Sequence, residues 1–142
     1  MNRSRWMVCA LTLPSLAVCL LAGCGDSRDV VQVSGRVQYT GGAPLNGAVR
    51  FIRFEPTDES TAKIRKAASA EIAPDGTFDL YTRKPGDGVF RGRYAVSFTV
   101  LSGATNGKSL IAPDYESATT TPYVVDVNDD MSDLVYELEK RM

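Results

Sequence analysis

Cys24 is the residue whose type and position most clearly indicate chemistry, because its thiol ends the run Leu21-Ala22-Gly23-Cys24 at the close of an apolar N-terminal stretch. Arg3 and Arg5 precede that stretch, which extends from Trp6 to Leu21 and is interrupted by Pro14. A basic start, an apolar middle and small residues before a cleavage site are typical of a secretory signal. An uncleaved membrane helix is the alternative, but it would need about 20 apolar residues. An ordinary secretory signal in which the cysteine is coincidental also stays open.

The run Leu21-Ala22-Gly23-Cys24 resembles the lipobox of bacterial lipoprotein signal peptides. This resemblance implies that residues 1–23 are a cleaved signal peptide and that Cys24 becomes the first mature residue, with lipid attached through its thiol. Two or more acyl chains, such as palmitate, hold a protein stably on a membrane, whereas one chain holds it only marginally. Residues 24–29 would then form a short polar tether to the soluble part of the chain.

The resemblance to lipoprotein signal peptides also implies where the protein is located and that its partner is a membrane. We expect the protein in the cell envelope, anchored on the extracytoplasmic side of a membrane by its N-terminal lipid. Gly25 follows the cysteine, and the acidic residue Asp26 comes one place later. The choice between inner and outer membrane therefore stays open.

Charge composition argues against a nucleic-acid partner. The 142-residue sequence has 16 basic and 17 acidic side chains, and loss of Arg3 and Arg5 with the signal leaves an excess of acidic groups. Nucleic-acid binding calls for a strongly basic face, which this balance does not favour. The sequence also shows no run of basic residues that would form a membrane-binding patch.

The types of residue that are missing exclude much catalytic chemistry. The sequence has no histidine, which excludes a Ser-His-Asp triad, a Cys-His pair and the usual zinc sites. Cys9 and Cys19 lie in the signal, so Cys24 is the single mature cysteine and no disulfide can form within the domain. We expect no cofactor and no enzymatic activity, although carboxylate- or lysine-based catalysis stays open by residue type.

Alternating polarity predicts an all-β domain over residues 30–142. Apolar residues alternate with polar ones from Val31 to Tyr39 and again from Tyr94 to Val100, which is typical of strands with one buried face. The sequence Ala73-Pro74-Asp75-Gly76 is a tight-turn signal and predicts a hairpin between its flanking strands. The pattern predicts a seven-stranded Greek-key β-sandwich of the immunoglobulin or transthyretin kind, with strands near residues 31–39, 48–54, 67–72, 77–81, 92–101, 123–127 and 134–138.

Several short motifs, taken in order, resemble the carboxypeptidase regulatory-like domain. They are Val33-Ser34-Gly35-Arg36-Val37, Gly42-Ala43-Pro44-Leu45, Gly47-Ala48-Val49-Arg50-Phe51, Asp75-Gly76-Thr77-Phe78 and Gly92-Arg93-Tyr94-Ala95-Val96. The resemblance implies a β-sandwich related to transthyretin and to collagen-adhesin B-type repeats, with a generic immunoglobulin-like sandwich as the alternative. It does not imply peptidase activity, because the peptidase's zinc ligands include histidine. An isopeptide crosslink would need an early lysine, and the first strand offers Arg36 instead.

Two polar segments are candidate binding sites. An oxygen-rich cluster could bind Ca²⁺, although the same residue types favour a solvated turn; its members are Asp126, Asn128, Asp129 and Asp130. Asp114 and Tyr115, in the long segment 102–122, could contact a glycan or a protein. Alternatively, Ile111, Pro113 and Tyr115 fold this segment back onto the sandwich.

The sequence therefore predicts a membrane-anchored lipoprotein that serves as a non-catalytic structural or binding module and contacts an unknown envelope protein or glycan. A carbohydrate-binding module is one alternative and would need a planar strip of exposed aromatic rings, for which the available residues are Tyr39, Tyr81, Tyr115 and Tyr123. A carboxylate-dependent hydrolase is another. The acidic run containing Glu55, Asp58 and Glu59 is most simply a solvated loop, and nothing in the sequence positions a catalytic pair.

Overall fold

A computed structural model describes residues 29–142, so Cys24 and the proposed signal lie outside the described residues. The described chain is all-β, apart from one short 3₁₀ turn at Pro113–Glu116. No helix within residues 29–142 has the length and apolar character needed to cross a membrane. The nine strands are β1 Val30–Val31, β2 Val33–Tyr39, β3 Val49–Pro56, β4 Ala68–Glu71, β5 Thr77–Asp79, β6 Val89–Phe90, β7 Gly92–Leu101, β8 Val124–Val127 and β9 Met131–Leu138.

Seven of the nine strands form two larger sheets. One sheet has the order β5-β2-β9 and the other has the order β4-β3-β7-β8, while β1 and β6 pair as a small separate ribbon. All pairs are antiparallel except β2 and β9, which run parallel. The predicted all-β fold is confirmed. The seven predicted strands correspond to the strands of the two larger sheets, and the ribbon strands β1 and β6 account for the difference in number. The Greek-key arrangement stays a prediction.

The two larger sheets share one hydrophobic core. On β2 the alternating residues Val33, Val37 and Tyr39 are buried, as the polarity pattern predicts. On β7 the predicted face from Tyr94 to Val100 is buried too, but Ala95 and Ser97 on its other face are also buried, so the expectation of one exposed face is wrong there. Aromatic rings join the sheets: the ring centroid of Tyr136 on β9 lies 5.4 Å from that of Phe98 and 6.4 Å from that of Phe54. These contacts make the molecule a sandwich whose core is closed by strands far apart in sequence.

The predicted hairpin at Ala73-Pro74-Asp75-Gly76 is wrong in its pairing. The turn forms, with the Gly76 amide donating to the Ala73 carbonyl at 2.8 Å and φ of +88° at Gly76. However, β4 pairs with β3 and β5 pairs with β2, so the two flanking strands belong to different sheets. An isolated antiparallel β-bridge between Ser69 and Tyr81 is the one β-sheet pairing between the two flanking segments. Turn chemistry fixes the local bend but does not determine which sheet each strand joins.

Gly35 interrupts β2 where the neighbouring backbone of β9 comes very close. The parallel register between β2 and β9 shifts between Val33 and Gly35, which marks a bulge-like irregularity. A Cβ atom at position 35 would lie 2.8 Å from the Leu134 Cβ and closer still to the Leu134 carbonyl oxygen. Gly35 is thus a site of close backbone approach, which a glycine inside a strand commonly marks.

The strand registers define two ends of the sandwich. Asp29 lies at one end, where Tyr94 pairs with Pro56 and Gly92 pairs with Val127; we call this the Asp29 end. Leu101 pairs with Val49 at the opposite end. The Asp29 end carries the connections 57–67, 80–88 and 128–130, and all three surround the point where the chain enters the domain.

The buried hydroxyl of Tyr136 leads to a stability prediction. This hydroxyl has no hydrogen-bond partner among residues 29–142, and burial raises the pKa of Tyr136. Tyr136→Phe removes an unpaired polar atom while keeping the ring in the core. We expect the free energy of unfolding to rise by about 1 kcal/mol in chemical denaturation.

Tyr94→Phe is the matched control, because the Tyr94 hydroxyl donates to the Phe90 carbonyl at 2.7 Å within the same core. Its loss should lower the free energy of unfolding by about 1 kcal/mol. Destabilisation by both variants would show that the Tyr136 hydroxyl has a partner in solution.

Candidate functional site

Two grooves open at the Asp29 end, one on each side of the entering chain. The basic groove has a volume of about 330 Å³ and is lined by Val30, Ile64, Lys66, Thr82, Arg83, Asp87 and Phe90. The arginine groove has a volume of about 460 Å³, and its charged lining residues are Asp29, Glu59, Lys63, Arg91, Arg93 and Asp126. The connection 57–67 contributes to both grooves. The charged residues that line the two grooves therefore lie around the point where the chain enters the domain, at Asp29 and Val30.

Arginine side chains hold the carboxylates of the arginine groove. Arg91 pairs with Asp29, and the Arg93 guanidinium lies 3.5 Å from both the Glu59 and the Asp126 carboxylates. A glycoside hydrolase needs two carboxyl groups that flank the substrate. Because each carboxylate here is engaged by a guanidinium, the groove offers ion pairs where such an enzyme would need a free acid and a free base.

The calcium candidates are held by separate partners around the turn 128–130. The Asp126 carboxylate pairs with Arg93, and the Asn128 backbone carbonyl accepts a hydrogen bond from Arg91 Nε at 2.6 Å. The Asp130 carboxylate accepts a hydrogen bond from the Gln32 backbone amide at 2.8 Å. Asp129 is exposed. Within residues 29–142, no group of three or more acidic, histidine or cysteine side chains is placed to hold a metal ion. The hydrogen bonds fit the turn interpretation of these residues.

The basic groove combines an apolar wall with positive charge. Val30 and Phe90 pair with each other across the β1–β6 ribbon, and Ile64 stands beside them with 43 % of its surface exposed. Lys66 and Arg83 line the same groove. No carboxylate of residues 29–142 lies within ion-pair distance of either cation.

Asp87 is the acidic residue of the basic groove, and its carboxylate serves the turn that carries Arg83. It accepts hydrogen bonds from the amides of Thr82 at 2.8 Å, Arg83 at 3.0 Å and Lys84 at 3.2 Å. Partial burial raises the pKa of the Asp87 carboxyl, but these hydrogen bonds outweigh it and leave the pKa below its ordinary value. Asp87 therefore fixes the backbone that presents Arg83 and Lys84.

Asp114 and Tyr115 lie in the 3₁₀ turn, away from both grooves. Asp114 is exposed, whereas Tyr115 is half-buried and stacks on Tyr123 with ring centroids 5.9 Å apart. Ile111 is fully buried and Pro113 is exposed. The long segment is thus folded back on the sandwich through Ile111 and Tyr115, and Pro113 takes no part in that packing.

The four tyrosines considered for a sugar-binding strip do not form one exposed surface: Tyr115 and Tyr123 stack on each other and are half-buried, and the other two lie in different surroundings. Tyr39 is buried, with its hydroxyl donating to Asn46 Oδ1 at 2.9 Å. Tyr123 is half-buried and donates to the Glu137 carbonyl at 2.6 Å. Tyr81 is also half-buried and contributes to a different groove from the one with Lys66 and Arg83. A carbohydrate-binding strip would need these rings exposed side by side in one plane, and this placement does not provide that.

The acidic run near residue 55 is distributed among separate ion pairs. Glu55 pairs with Arg53 at 2.6 Å, Asp58 lies 3.6 Å from Arg65, and Glu59 faces Arg93. All of these side chains are largely solvent-exposed, so each pair adds little to stability. The solvated-loop interpretation agrees with this placement.

Sequence reasoning did not find the two grooves, because their lining residues come from segments far apart along the chain. Lys66 and Arg83 are 17 positions apart in sequence. The nearest sequence signal is the segment Lys63-Ile64-Arg65-Lys66, which places one apolar residue among three cations. Only the fold brings this segment beside Arg83 and the entering chain.

Comparison of the chain with protein-family models, with curated proteins and with solved structures gave no significant match.

Proposed function

We propose that this protein is a lipid-anchored lipoprotein of the cell envelope whose β-sandwich acts as a non-catalytic structural or binding module. The observation that carries the proposal is the run Leu21-Ala22-Gly23-Cys24, placed directly before an all-β domain that starts at Asp29. Acylation of the Cys24 thiol would give this domain a membrane anchor made of lipid, with the polypeptide remaining outside the bilayer.

The short tether supports a function close to the membrane. Four residues lie between Cys24 and Asp29, and the five steps from Cys24 to Asp29 span at most about 18 Å even when fully extended. The Asp29 end of the sandwich would therefore face the membrane. The opposite end, with the connections 40–48 and 102–109, would point toward partners in the envelope.

We further propose that the domain is of the carboxypeptidase regulatory-like kind. The motif around Gly35 lies on β2 at the bulge, the Asp75-Gly76 motif forms the turn before β5, and the motif from Gly92 begins β7. Each of these glycines therefore has a scaffold role that accounts for its residue type. Relatedness in fold to transthyretin belongs to the same proposal.

A non-catalytic role is supported by the state of the charged side chains. The groove carboxylates are ion-paired with Arg91 and Arg93, and the sequence has no histidine to act as a general base. The function we propose is therefore positional: the anchor fixes the domain, and the loops contact an envelope protein or glycan.

Metabolic labelling tests the anchor. A bacterial host fed a clickable fatty acid should label the wild-type protein, and Cys24→Ala should reduce the label to background because the acylated thiol is gone. Cys19→Ala is the matched control, since this cysteine lies in the same N-terminal segment and should leave labelling unchanged. Equal labelling of wild type and Cys24→Ala would reject attachment at this thiol.

A further inference from the structure

We propose that the basic groove docks the domain onto anionic phospholipid headgroups of the membrane that holds the anchor. The inference rests on the proposed function, because the acyl anchor is what brings this end of the sandwich to the bilayer. It assigns a ligand class, a phosphate-bearing lipid surface, to Lys66, Arg83 and the loop around Ile64.

The position of the groove relative to the tether is the first argument. Val30 belongs both to the strand that follows the tether and to the lining of the groove. The tether reaches at most about 18 Å from Cys24, so the start of the domain stays within about that distance of the lipid-bearing residue. A groove beside Val30 is therefore held within reach of lipid headgroups by the anchor itself.

Charge is the second argument. Two cations line the groove from separate connections, Lys66 and Arg83, and no carboxylate of the described chain forms an ion pair with either. Lys84 follows Arg83 directly on the connection 80–88 and is exposed. Of the other cations of this end, Arg65, Arg91 and Arg93 are ion-paired. Unpaired lysine and arginine side chains close to a membrane are attracted by anionic lipids.

Apolar exposure is the third argument. Ile64 is 43 % exposed at the rim, between the cations Lys63 and Lys66. An apolar side chain flanked by lysines suits the boundary between headgroups and acyl chains, where the hydrocarbon is buried and the charges stay in contact with phosphate.

The acidic groups of the Asp29 end lie mainly on the other side of the entering chain. Asp29, Glu59 and Asp126 line the arginine groove, where they are ion-paired, and Asp129 and Asp130 belong to the turn next to it. Asp87 is the acid inside the basic groove, and its carboxylate is engaged by backbone amides. The asymmetry predicts a tilted orientation, with Lys66 and Arg83 nearest the bilayer and the arginine groove turned away from it.

Vesicle binding by the full chain carrying Cys24→Ser tests the docking separately from the anchor. Vesicles of phosphatidylcholine alone are compared with vesicles that also contain phosphatidylglycerol. The N-terminal segment, with Arg3 and Arg5, is the same in every variant, so a difference between variants on anionic vesicles reports on the substituted positions. The double variant Lys66→Ser/Arg83→Ser should bind the anionic vesicles about tenfold more weakly, and raised salt should remove the wild-type preference.

The control Arg36→Ser/Lys108→Ser removes the same net charge away from the groove and should keep the wild-type preference for anionic vesicles. Lys84→Ser, at an exposed position, provides a second test should the double variant fail to fold. Equal losses in the groove and control variants would overturn the proposal, and so would equal binding to both kinds of vesicle. Self-association of the full chain that is lost in Lys66→Ser/Arg83→Ser would assign the groove to a second copy instead. None of these outcomes depends on whether Cys24 is acylated, which the labelling experiment decides.

Discussion

Phe54→Ala should lower the free energy of unfolding by about 3–5 kcal/mol, because it removes a fully buried ring from the centre of the core. The Phe54 ring centroid lies 5.8 Å from that of Tyr94 within its own sheet and 6.4 Å from that of Tyr136 in the facing sheet. Loss of the ring leaves a cavity where the two sheets meet. Chemical denaturation followed by tyrosine fluorescence or circular dichroism measures the effect.

Phe51→Ala is the matched control, because Phe51 lies on the same strand, points to the other face and is 44 % exposed. The control should change the free energy of unfolding by less than about 1 kcal/mol. Equal effects of the two substitutions would contradict the assignment of the β3 faces and, with it, the position of the core.

Gly35→Ala should lower the free energy of unfolding by at least about 2 kcal/mol, because backbone atoms of Leu134 occupy the space that a Cβ atom needs. A flexible neighbour could move aside, whereas the parallel pairing of β2 and β9 holds this carbonyl in place. We expect the loss to appear as a lower denaturation midpoint with little change in slope.

Gly103→Ala separates steric effects from the general effect of replacing a glycine. A Cβ atom at position 103 would meet its nearest neighbour at 3.8 Å, which is an ordinary contact. This control should leave the midpoint almost unchanged. A Gly35→Ala variant as stable as Gly103→Ala would mean that β9 does not approach β2 at this bulge.

The sequence predicted burial best for strands that have one solvent-exposed face. The polarity of β2 alternates along its length, so its buried face with Val33 and Val37 follows from period two. On β7 the same pattern predicts the burial of Phe98 but not that of Ala95 and Ser97 on the opposite face. Gly35 could also be predicted as a close-approach site, because a glycine inside a strand commonly marks a bulge or a nearby backbone.

The partners of each strand could not be read from local patterns. The turn Ala73-Pro74-Asp75-Gly76 specifies a bend equally well whether its strands pair with each other or join facing sheets. Tertiary packing decides between these outcomes: Ala68, Ala70 and Ile72 are buried with the strand β3, whereas Phe78 is buried with β2. The same limit applies to the predicted position of Pro113, which is exposed.

The candidate sites also differ in whether the sequence alone could predict them. The turn residues Asp126, Asn128, Asp129 and Asp130 were visible as a cluster because they are close in sequence. The basic groove was not visible, because Lys66 and Arg83 belong to separate connections and the whole chain has a mild acidic excess. A net charge averages over the surface, whereas binding depends on which charges the fold brings together and leaves unpaired.

Intact-mass and peptide mass spectrometry of the protein recovered from bacterial membranes would decide whether lipid is the anchor. We predict a mature chain that begins at Cys24, with a diacylglycerol-sized mass on that residue and no trace of residues 1–23. A chain whose first residue is unmodified, or one that retains the N-terminal segment with a free Cys24 thiol, would contradict the lipoprotein proposal.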